Sequence, residues 1–396
     1  MTNPNIAQGF RFAGVHCGIR NDANRPDLAI ILSEQPCSAA GVFTQNKVVA
    51  APVQVCRQRL PSSQTSAVII CAGNANACTG DQGIADAIRM TELTAKAVSC
   101  RPDQVLVCST GVIGVPLPMK KVEFGILLAQ TQLAKTQEAL DQTANAILTT
   151  DTHPKVRTRS LSLAGHTVNI TGIAKGAAMI GPNMATMLAF VLTDAAVSEQ
   201  DLARLAKTAA DRSFNCISVE GHTSTNDTLL LLANGEGEKH SGDNLSAFEQ
   251  AVIDVCGELA RDIAADAEGA SHLVRIEVEG MRSEDEAKKI AKTVAGSALV
   301  KTAIFGADPN WGRFVSAAGY AGVDFKETDL SLWLGETLLY RTGTPQPFDE
   351  AVASTYIRDN REIALRFLFT LGDGKCTFWT SDLTYEYVRL NAEYTT

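Results

Sequence analysis

Apolar residues recur along this chain with two different periods, and each period predicts a different kind of element. Apolar positions three or four residues apart are typical of a helix that buries one face. They predict helices over 83–99, 118–147, 199–211, 245–266 and 282–297. Short apolar runs bounded by polar or turn residues predict strands over 66–72, 104–108, 157–173, 187–193, 228–233, 273–279, 329–335 and 363–380. Ser283 and Glu286 have the spacing of a helix capping box.

The order of these elements indicates the fold class. Helices and strands come in blocks of each type and do not alternate strictly, which favours mixed sheets over a doubly wound parallel sheet. We therefore predict an α/β fold, a layered α/β sandwich with mixed sheets and helices on their outer faces. Internal repeats and low-complexity tracts are absent from the sequence, and no proline-rich linker marks a structural domain boundary.

Composition narrows the functional classes. A chain of 396 residues with 45% hydrophobic and 20% charged residues can bury a large core, and its length alone predicts two domains. The net charge of −9 argues against nucleic acid or an anionic membrane as a partner. The first residues, MTNPNIAQGF, do not resemble a secretory signal. No apolar run reaches the about 18–20 residues that span a bilayer. We expect a cytoplasmic protein that acts on small molecules.

Cysteine and histidine spacings predict no metal site. The 10 Cys form no C-x-x-C pair, and the 6 His form neither H-x-H nor H-E-x-x-H. We interpret the cysteines as reduced and mostly buried.

A glycine-rich turn follows the predicted strand 104–108, in the segment CSTGVIGVP (108–116). Thr110 offers a hydroxyl donor, and Gly111 and Gly114 let backbone amides approach a ligand. Such donors suit an oxyanion hole. An ordinary strand-exit turn is the alternative.

Most of the other polar segments can be interpreted in two ways, as part of a site or as ordinary structure. TTDTHPK (149–155) is either a substrate-binding loop or a helix exit, and Glu268 is either a ligand for a substrate ammonium group or a solvated acid. GADPNWGR (306–313) is interpreted as a structural turn held by Trp311. His222 is a general base or, more typically, a surface group.

Thr186 lies at a loop-to-strand junction in KGAAMIGPNMATMLAF (175–190). A hydroxyl at such a junction either caps a turn or acts as a nucleophile. The sequence shows no Ser-His-Asp arrangement and no evident base for it.

These segments together resemble the ornithine acetyltransferase family, also called the arginine-biosynthesis bifunctional protein or glutamate N-acetyltransferase. The resemblance extends over nearly the whole chain. It rests on GVFTQNKV, GNANACTG, STGVIG, TTDTHPK, KGAAMIGPNMATML, TSTNDT, KTAIFGADPNWGR and YVRLNAEYTT. It implies a fold distantly reminiscent of N-terminal-nucleophile hydrolases.

The resemblance also implies that the chain cuts itself between Ala185 and Thr186. Cleavage would give an alpha chain, 1–185, and a beta chain, 186–396, that begins with the nucleophile Thr186. The new α-amine has a pKa near 7.7–8.0 in model compounds and can assist proton transfer from the Thr186 hydroxyl, which explains the missing base.

Roles for further residues come from the same resemblance. Thr110 and Gly111 would stabilise the oxyanion, while Thr186 would also contact the substrate. The remaining substrate-binding positions are Thr152, Lys175, Glu268, Asn391 and Thr396.

The implied activity is transfer of an acetyl group from N-acetylornithine to glutamate, with no bound cofactor and an assembly of two alpha and two beta chains. The residues leave open whether acetyl-CoA is a second acetyl donor. An amidohydrolase or aminopeptidase on a related self-cleaving scaffold is the alternative enzyme. A non-catalytic amino-acid-binding homologue is a third reading.

Overall fold

The computed structural model describes residues 5–181, 187–237 and 239–393. Its strands are β1 Phe10–Val15, β2 Leu28–Phe43, β3 Ser62–Asn74, β4 Val105–Val112, β5 Lys155–Leu163, β6 His166–Lys175, β7 Leu188–Thr193, β8 Ile217–Ser218, β9 Thr228–Ala233, β10 Leu273–Met281, β11 Ser331–Leu334, β12 Thr337–Arg341, β13 Thr344–Pro345, β14 Glu362–Leu368 and β15 Gly374–Ser381. Its α-helices are α1 Ala51–Arg59, α2 Gly80–Val98, α3 Met119–Gln132, α4 Gln137–Ala146, α5 Glu199–Arg212, α6 Gly242–Ala265, α7 Glu284–Gly296, α8 Ala298–Phe305, α9 Trp311–Gly319, α10 Glu350–Asp359 and α11 Tyr385–Glu393.

The strands form two mixed sheets. The first has the order β4-β3-β2-β9-β7-β6-β5, with β1 paired to β2, and the second has the order β13-β12-β11-β14-β10-β15-β8. In the first sheet β3 pairs with β4 and β7 with β9 in parallel, whereas the other pairs are antiparallel. The second sheet also combines parallel and antiparallel pairs. The predicted α/β class with mixed sheets is confirmed.

Helices cover both faces of the first sheet, and this explains the continuous apolar run of β9. Successive side chains of a strand point to opposite faces. Leu230 and Leu232 accordingly join the core beneath α1 to α4, whereas Leu229 and Leu231 join the core beneath α5 and α6. Helix α6 also contacts β15 of the second sheet, whose own core lies under α7 to α10. The result is the layered sandwich that the sequence predicts.

Three predicted elements are each divided in the structure. The predicted helix 118–147 is α3 and α4, because Ala134 leaves the helical path to form a bridge with Phe12. The predicted strand 157–173 is the hairpin of β5 and β6, which turns at Ala164 and Gly165, both with positive φ. The predicted strand 363–380 is β14 and β15.

Other elements were not predicted or differ in detail. The long strand β2 was not predicted, because the polar residues at 33–35 interrupt its apolar positions. Ser283 does cap α7 by accepting from the Glu286 amide, but the Glu286 carboxylate accepts from Arg282. Among the described residues, no helix is long and apolar enough to cross a membrane.

Candidate active site

A pocket of about 100 Å³ lies where several strands of the first sheet end or begin. The C-terminal ends of β4 and β6 reach it, and the segment that precedes β9 forms another wall. Its lining residues are Ala75, Thr110, Gly111, Ile113, Thr149, Thr150, Lys175, Ala178, Met179, Ser224, Thr225, Asn226, Glu268 and Asn391. Most are hydroxyl, amide or charged groups, so the pocket suits a polar small molecule.

Gly111 lies in a conformation that only glycine fits. Its φ is +134°, and a Cβ atom there would lie 2.3 Å from the carbonyl carbon of Gly73 on the neighbouring strand β3. A larger residue would therefore need both a strained backbone and a displaced strand. The predicted strand 104–108 thus continues to Val112, and the turn expected from residue 108 begins later, because this part of the chain still pairs with β3. The tight pairing brings the Thr110–Gly111 backbone to the pocket wall.

Thr110 is buried, and the Lys175 Nζ donates to its Oγ1 at 3.3 Å. An ammonium group has no acceptor capacity, so the Thr110 oxygen accepts in this bond. The hydroxyl proton of Thr110 then remains available for an oxygen in the pocket. A hydroxyl donor next to a buried positive charge is the kind of group that stabilises an oxyanion.

Lys175 is the last residue of β6 and is 2% exposed. Burial lowers the pKa of this ammonium below its ordinary value, whereas the neighbouring carboxylate of Asp151 raises it. Asp151 itself is buried, which by itself raises its pKa. The positive charges of Lys175 and Lys155 outweigh that effect and hold the pKa of Asp151 well below its usual range.

The far wall of the pocket brings together residues remote in sequence. Asn391 on α11 donates through Nδ2 to Glu268 Oε2 at 3.0 Å and to the carbonyl oxygen of Tyr387 at 2.9 Å. Helix α11 approaches closely because Gly269 has no side chain. A Cβ atom at Gly269 would lie 2.5 Å from the Tyr387 amide nitrogen, and φ there is +66°. The Glu268 carboxylate can pair with a substrate ammonium group from this position.

The segment Ser224–Asn226 also lines the pocket, although sequence reasoning gave it no role. Asn226 holds the segment in place by donating to the carbonyl oxygens of Ala75 at 2.6 Å and Ser109 at 2.9 Å. The next residue, Asp227, is 1% exposed and accepts from the Met187 amide at 3.3 Å. Burial raises the pKa of Asp227 well above its ordinary value. The polar segment TSTNDT is the feature of the sequence that could have indicated this wall of the pocket.

The structure brings five of the predicted site residues into this one pocket: Thr110, Gly111, Lys175, Glu268 and Asn391. Thr152 is not among the residues that line it. Its amide donates to Asp266 at 3.0 Å and its hydroxyl donates to the same carboxylate, while Thr149 and Thr150 face the pocket. The role of Thr152 in substrate binding stays a prediction.

The predicted nucleophile Thr186, its cleavage partner Ala185 and the substrate-binding Thr396 lie outside the described residues. Of the other segments considered, His222 is exposed. Trp311 begins α9 behind the Asn310 cap and stacks on Tyr340 with ring centroids 5.7 Å apart, as expected for a structural turn. The described residues contain no cluster of three or more His, Cys, Asp or Glu side chains arranged for a metal ion.

Helices layered on mixed sheets, with a pocket at the strand ends, place this chain among the α/β proteins that hold a polar small molecule. The chain belongs to the ArgJ family, whose model matches residues 11–396. The family resemblance inferred from the motifs is thus confirmed.

Individual relatives are similar over almost their whole length. The arginine biosynthesis bifunctional protein ArgJ of Symbiobacterium thermophilum is 46% identical over 397 residues, covering 98% of this chain and 97% of the relative. The protein of the same name from Dehalococcoides mccartyi is 44% identical over 394 residues, covering 98% and 96%. A solved ornithine acetyltransferase complexed with ornithine, from Mycobacterium tuberculosis, is 36% identical, with a TM-score of 0.41, covering 47% of this chain and 96% of that chain.

Proposed function

We propose that this protein transfers the acetyl group of N2-acetyl-L-ornithine to L-glutamate by a ping-pong mechanism in arginine biosynthesis. The Thr186 hydroxyl oxygen attacks the acetyl carbonyl carbon and gives up its proton. The tetrahedral intermediate collapses, the bond to the ornithine nitrogen breaks, and ornithine leaves with that nitrogen protonated. The glutamate amine then attacks the acetyl-threonine ester to give N-acetylglutamate and the free hydroxyl.

The observation that supports this proposal most directly is the convergence of Thr110, Gly111, Lys175 and Glu268 on one pocket. Thr110 and Gly111 would donate hydrogen bonds to the oxyanion of both tetrahedral intermediates, because both intermediates are centred on the same acetyl carbon. The Glu268 carboxylate, held by Asn391, would bind an ammonium group of the substrate. The names of the family relatives, which refer to arginine biosynthesis, support the pathway.

Initial rates with N-acetylornithine and glutamate, each alone and together, test the activity. We expect acetyl transfer only when both are present, because glutamate is the acceptor of the second half-reaction. Acetate release from N-acetylornithine without glutamate would assign a hydrolase instead. If neither acetyl transfer nor acetate release is detected, the result would favour a non-catalytic amino-acid-binding protein. A parallel assay with acetyl-CoA and glutamate decides whether acetyl-CoA is a second donor.

Self-cleavage between Ala185 and Thr186 is part of the proposal, because only a free α-amine gives Thr186 a base. Intact-mass measurement under denaturing conditions is expected to give two species that correspond to residues 1–185 and 186–396. An active preparation that contains only the 42.1 kDa chain would contradict this expectation.

Two of each chain are proposed to assemble as a heterotetramer. Light scattering on the same processed preparation is expected to give about twice the mass of one alpha–beta pair. The mass of a single pair would contradict the assembly.

A further inference from the structure

A buried charge cluster lies directly behind the pocket. Lys155 is 1% exposed, and its Nζ donates to Asp151 Oδ1 at 2.8 Å, to Asp266 Oδ2 at 2.6 Å and to the His153 carbonyl oxygen at 3.4 Å. These three bonds use all three protons of the ammonium group. Both carboxylates are themselves buried.

Asp151 ties two pocket walls together through the backbone. Its Oδ1 accepts from the Gly176 amide at 2.6 Å, and its Oδ2 accepts from the Thr149 amide at 3.0 Å. Gly176 follows Lys175 directly, and Thr149 lines the pocket. One carboxylate therefore fixes the strand end that carries Lys175 and the loop opposite it. Asp266 instead accepts from Lys155 and Thr152.

In this cluster two carboxylates face the one ammonium group of Lys155, and a net negative charge in the interior is unfavourable unless a cation compensates it. The exposed His153 has its Nδ1 3.4 Å from Asp266 Oδ1, whereas Lys175 is the cation that acts on Asp151. The charged groups that act on Lys175 are Asp151, Lys155, Arg20 and Asp227. Lys155 and Arg20 disfavour its positive charge. Asp151 and Asp227 both favour it, and the effect of Asp151 is the larger of the two. Asp151 is therefore the main carboxylate that stabilises the Lys175 ammonium group.

We propose that Asp151 is a positioning residue that acts on the oxyanion site through Lys175. It holds the Gly176 amide and keeps a negative charge beside the Lys175 ammonium, so that Lys175 donates to Thr110 and leaves the Thr110 proton for the substrate oxygen. The inference rests on the proposed function, since it takes Thr110 to be an oxyanion donor.

The proposal fixes the sign of a pH effect. A neutral Lys175 amine can accept a hydrogen bond, so the Thr110 hydroxyl can turn toward it and away from the substrate. The rate of acetyl transfer then falls as the pH rises through the pKa of Lys175. Because the Asp151 carboxylate raises that pKa, removing its charge lowers it, and activity is lost at a lower pH.

The test compares kcat for acetyl transfer from neutral to alkaline pH in wild type, Asp151→Asn and Asp266→Asn. All preparations must be fully processed and folded, as checked by intact mass and thermal melting. We expect the alkaline limb of Asp151→Asn to move about 1–3 pH units lower. Asp266→Asn removes one charge from the same cluster, but Asp266 makes no hydrogen bond to the Lys175–Gly176 strand end among the described residues, so its limb should move clearly less than that of Asp151→Asn even if its Tm falls.

A uniform loss of kcat in Asp151→Asn with an unmoved limb overturns the proposal, and so does an equal shift in Asp266→Asn. If Asp151→Asn does not fold, Asp151→Ser keeps an acceptor oxygen without the charge and is expected to show the same shift. Failure of both neutral variants to fold would assign Asp151 a structural role and also overturn the proposal. A wild-type protein without acetyl transfer would instead contradict the proposed function.

Discussion

Replacing Thr186 with alanine is expected to abolish self-cleavage and acetyl transfer together. The same hydroxyl would attack the Ala185 carbonyl during processing and the acetyl carbonyl during catalysis, so no other group can replace it in either step. Loss of a covalent nucleophile lowers kcat by up to about 10⁶-fold. Denaturing gel electrophoresis or intact mass follows the cleavage, and initial rates with N-acetylornithine and glutamate follow the transfer.

Thr186→Ser is the control, because it keeps the hydroxyl and removes only a methyl group. This variant is expected to be processed and to transfer acetyl groups more slowly than wild type. Normal processing of Thr186→Ala into two chains would show that another residue carries out the cleavage, and the nucleophile assignment would then be wrong.

Replacing Thr110 with valine is expected to lower kcat by about 10²–10³-fold and to change the KM for N-acetylornithine only a few-fold. Valine is close to threonine in shape but lacks the hydroxyl donor. A donor to the oxyanion interacts with an oxygen that becomes negative only near the transition state, so its loss affects the rate more than substrate binding. The magnitude is that of removing one oxyanion donor from other enzymes.

Thr94→Val is the matched control for this substitution. Thr94 lies on α2, is fully buried, and its hydroxyl has no hydrogen-bond partner among the described residues. The same chemical change there should leave kcat unchanged. If Thr110→Val instead lowers Tm and leaves the kcat of folded, processed enzyme near wild type, Thr110 only supports the C-terminal end of β4. A large rise in KM at constant kcat would make Thr110 a substrate contact.

The sequence pattern by itself determined the fold class and the central elements. Strand β9 is a continuous apolar run because helices cover both faces of its sheet, so its burial does not depend on register. Helix α5 has a strong apolar stripe and a Ser198 cap, and it occurs where the periodicity predicts it. The STG segment was also identified as part of the site, since a glycine next to a hydroxyl residue after an apolar run is a local signal, although the structure places the segment at the end of β4 and not in a turn. Sequence patterns are sufficient to predict an element when its formation depends on burial of one face, on a cap or on a glycine within the element itself.

Only the tertiary structure decided which polar residues meet. Glu268 and Asn391 are 123 positions apart and come together because α11 docks against the side-chain-free Gly269. Thr152 and Thr150 are neighbours in one polar loop, yet Thr152 bonds Asp266 and Thr150 lines the pocket. The Asp151–Lys155–Asp266 cluster likewise depends on the end of α6 reaching the start of β5. Hydrophobic periodicity indicates which face of an element is buried, but it does not indicate which residues remote in sequence contact each other there. Those contacts follow from strand register and helix docking, and the low dielectric of the interior strengthens the hydrogen bonds and ion pairs that they form.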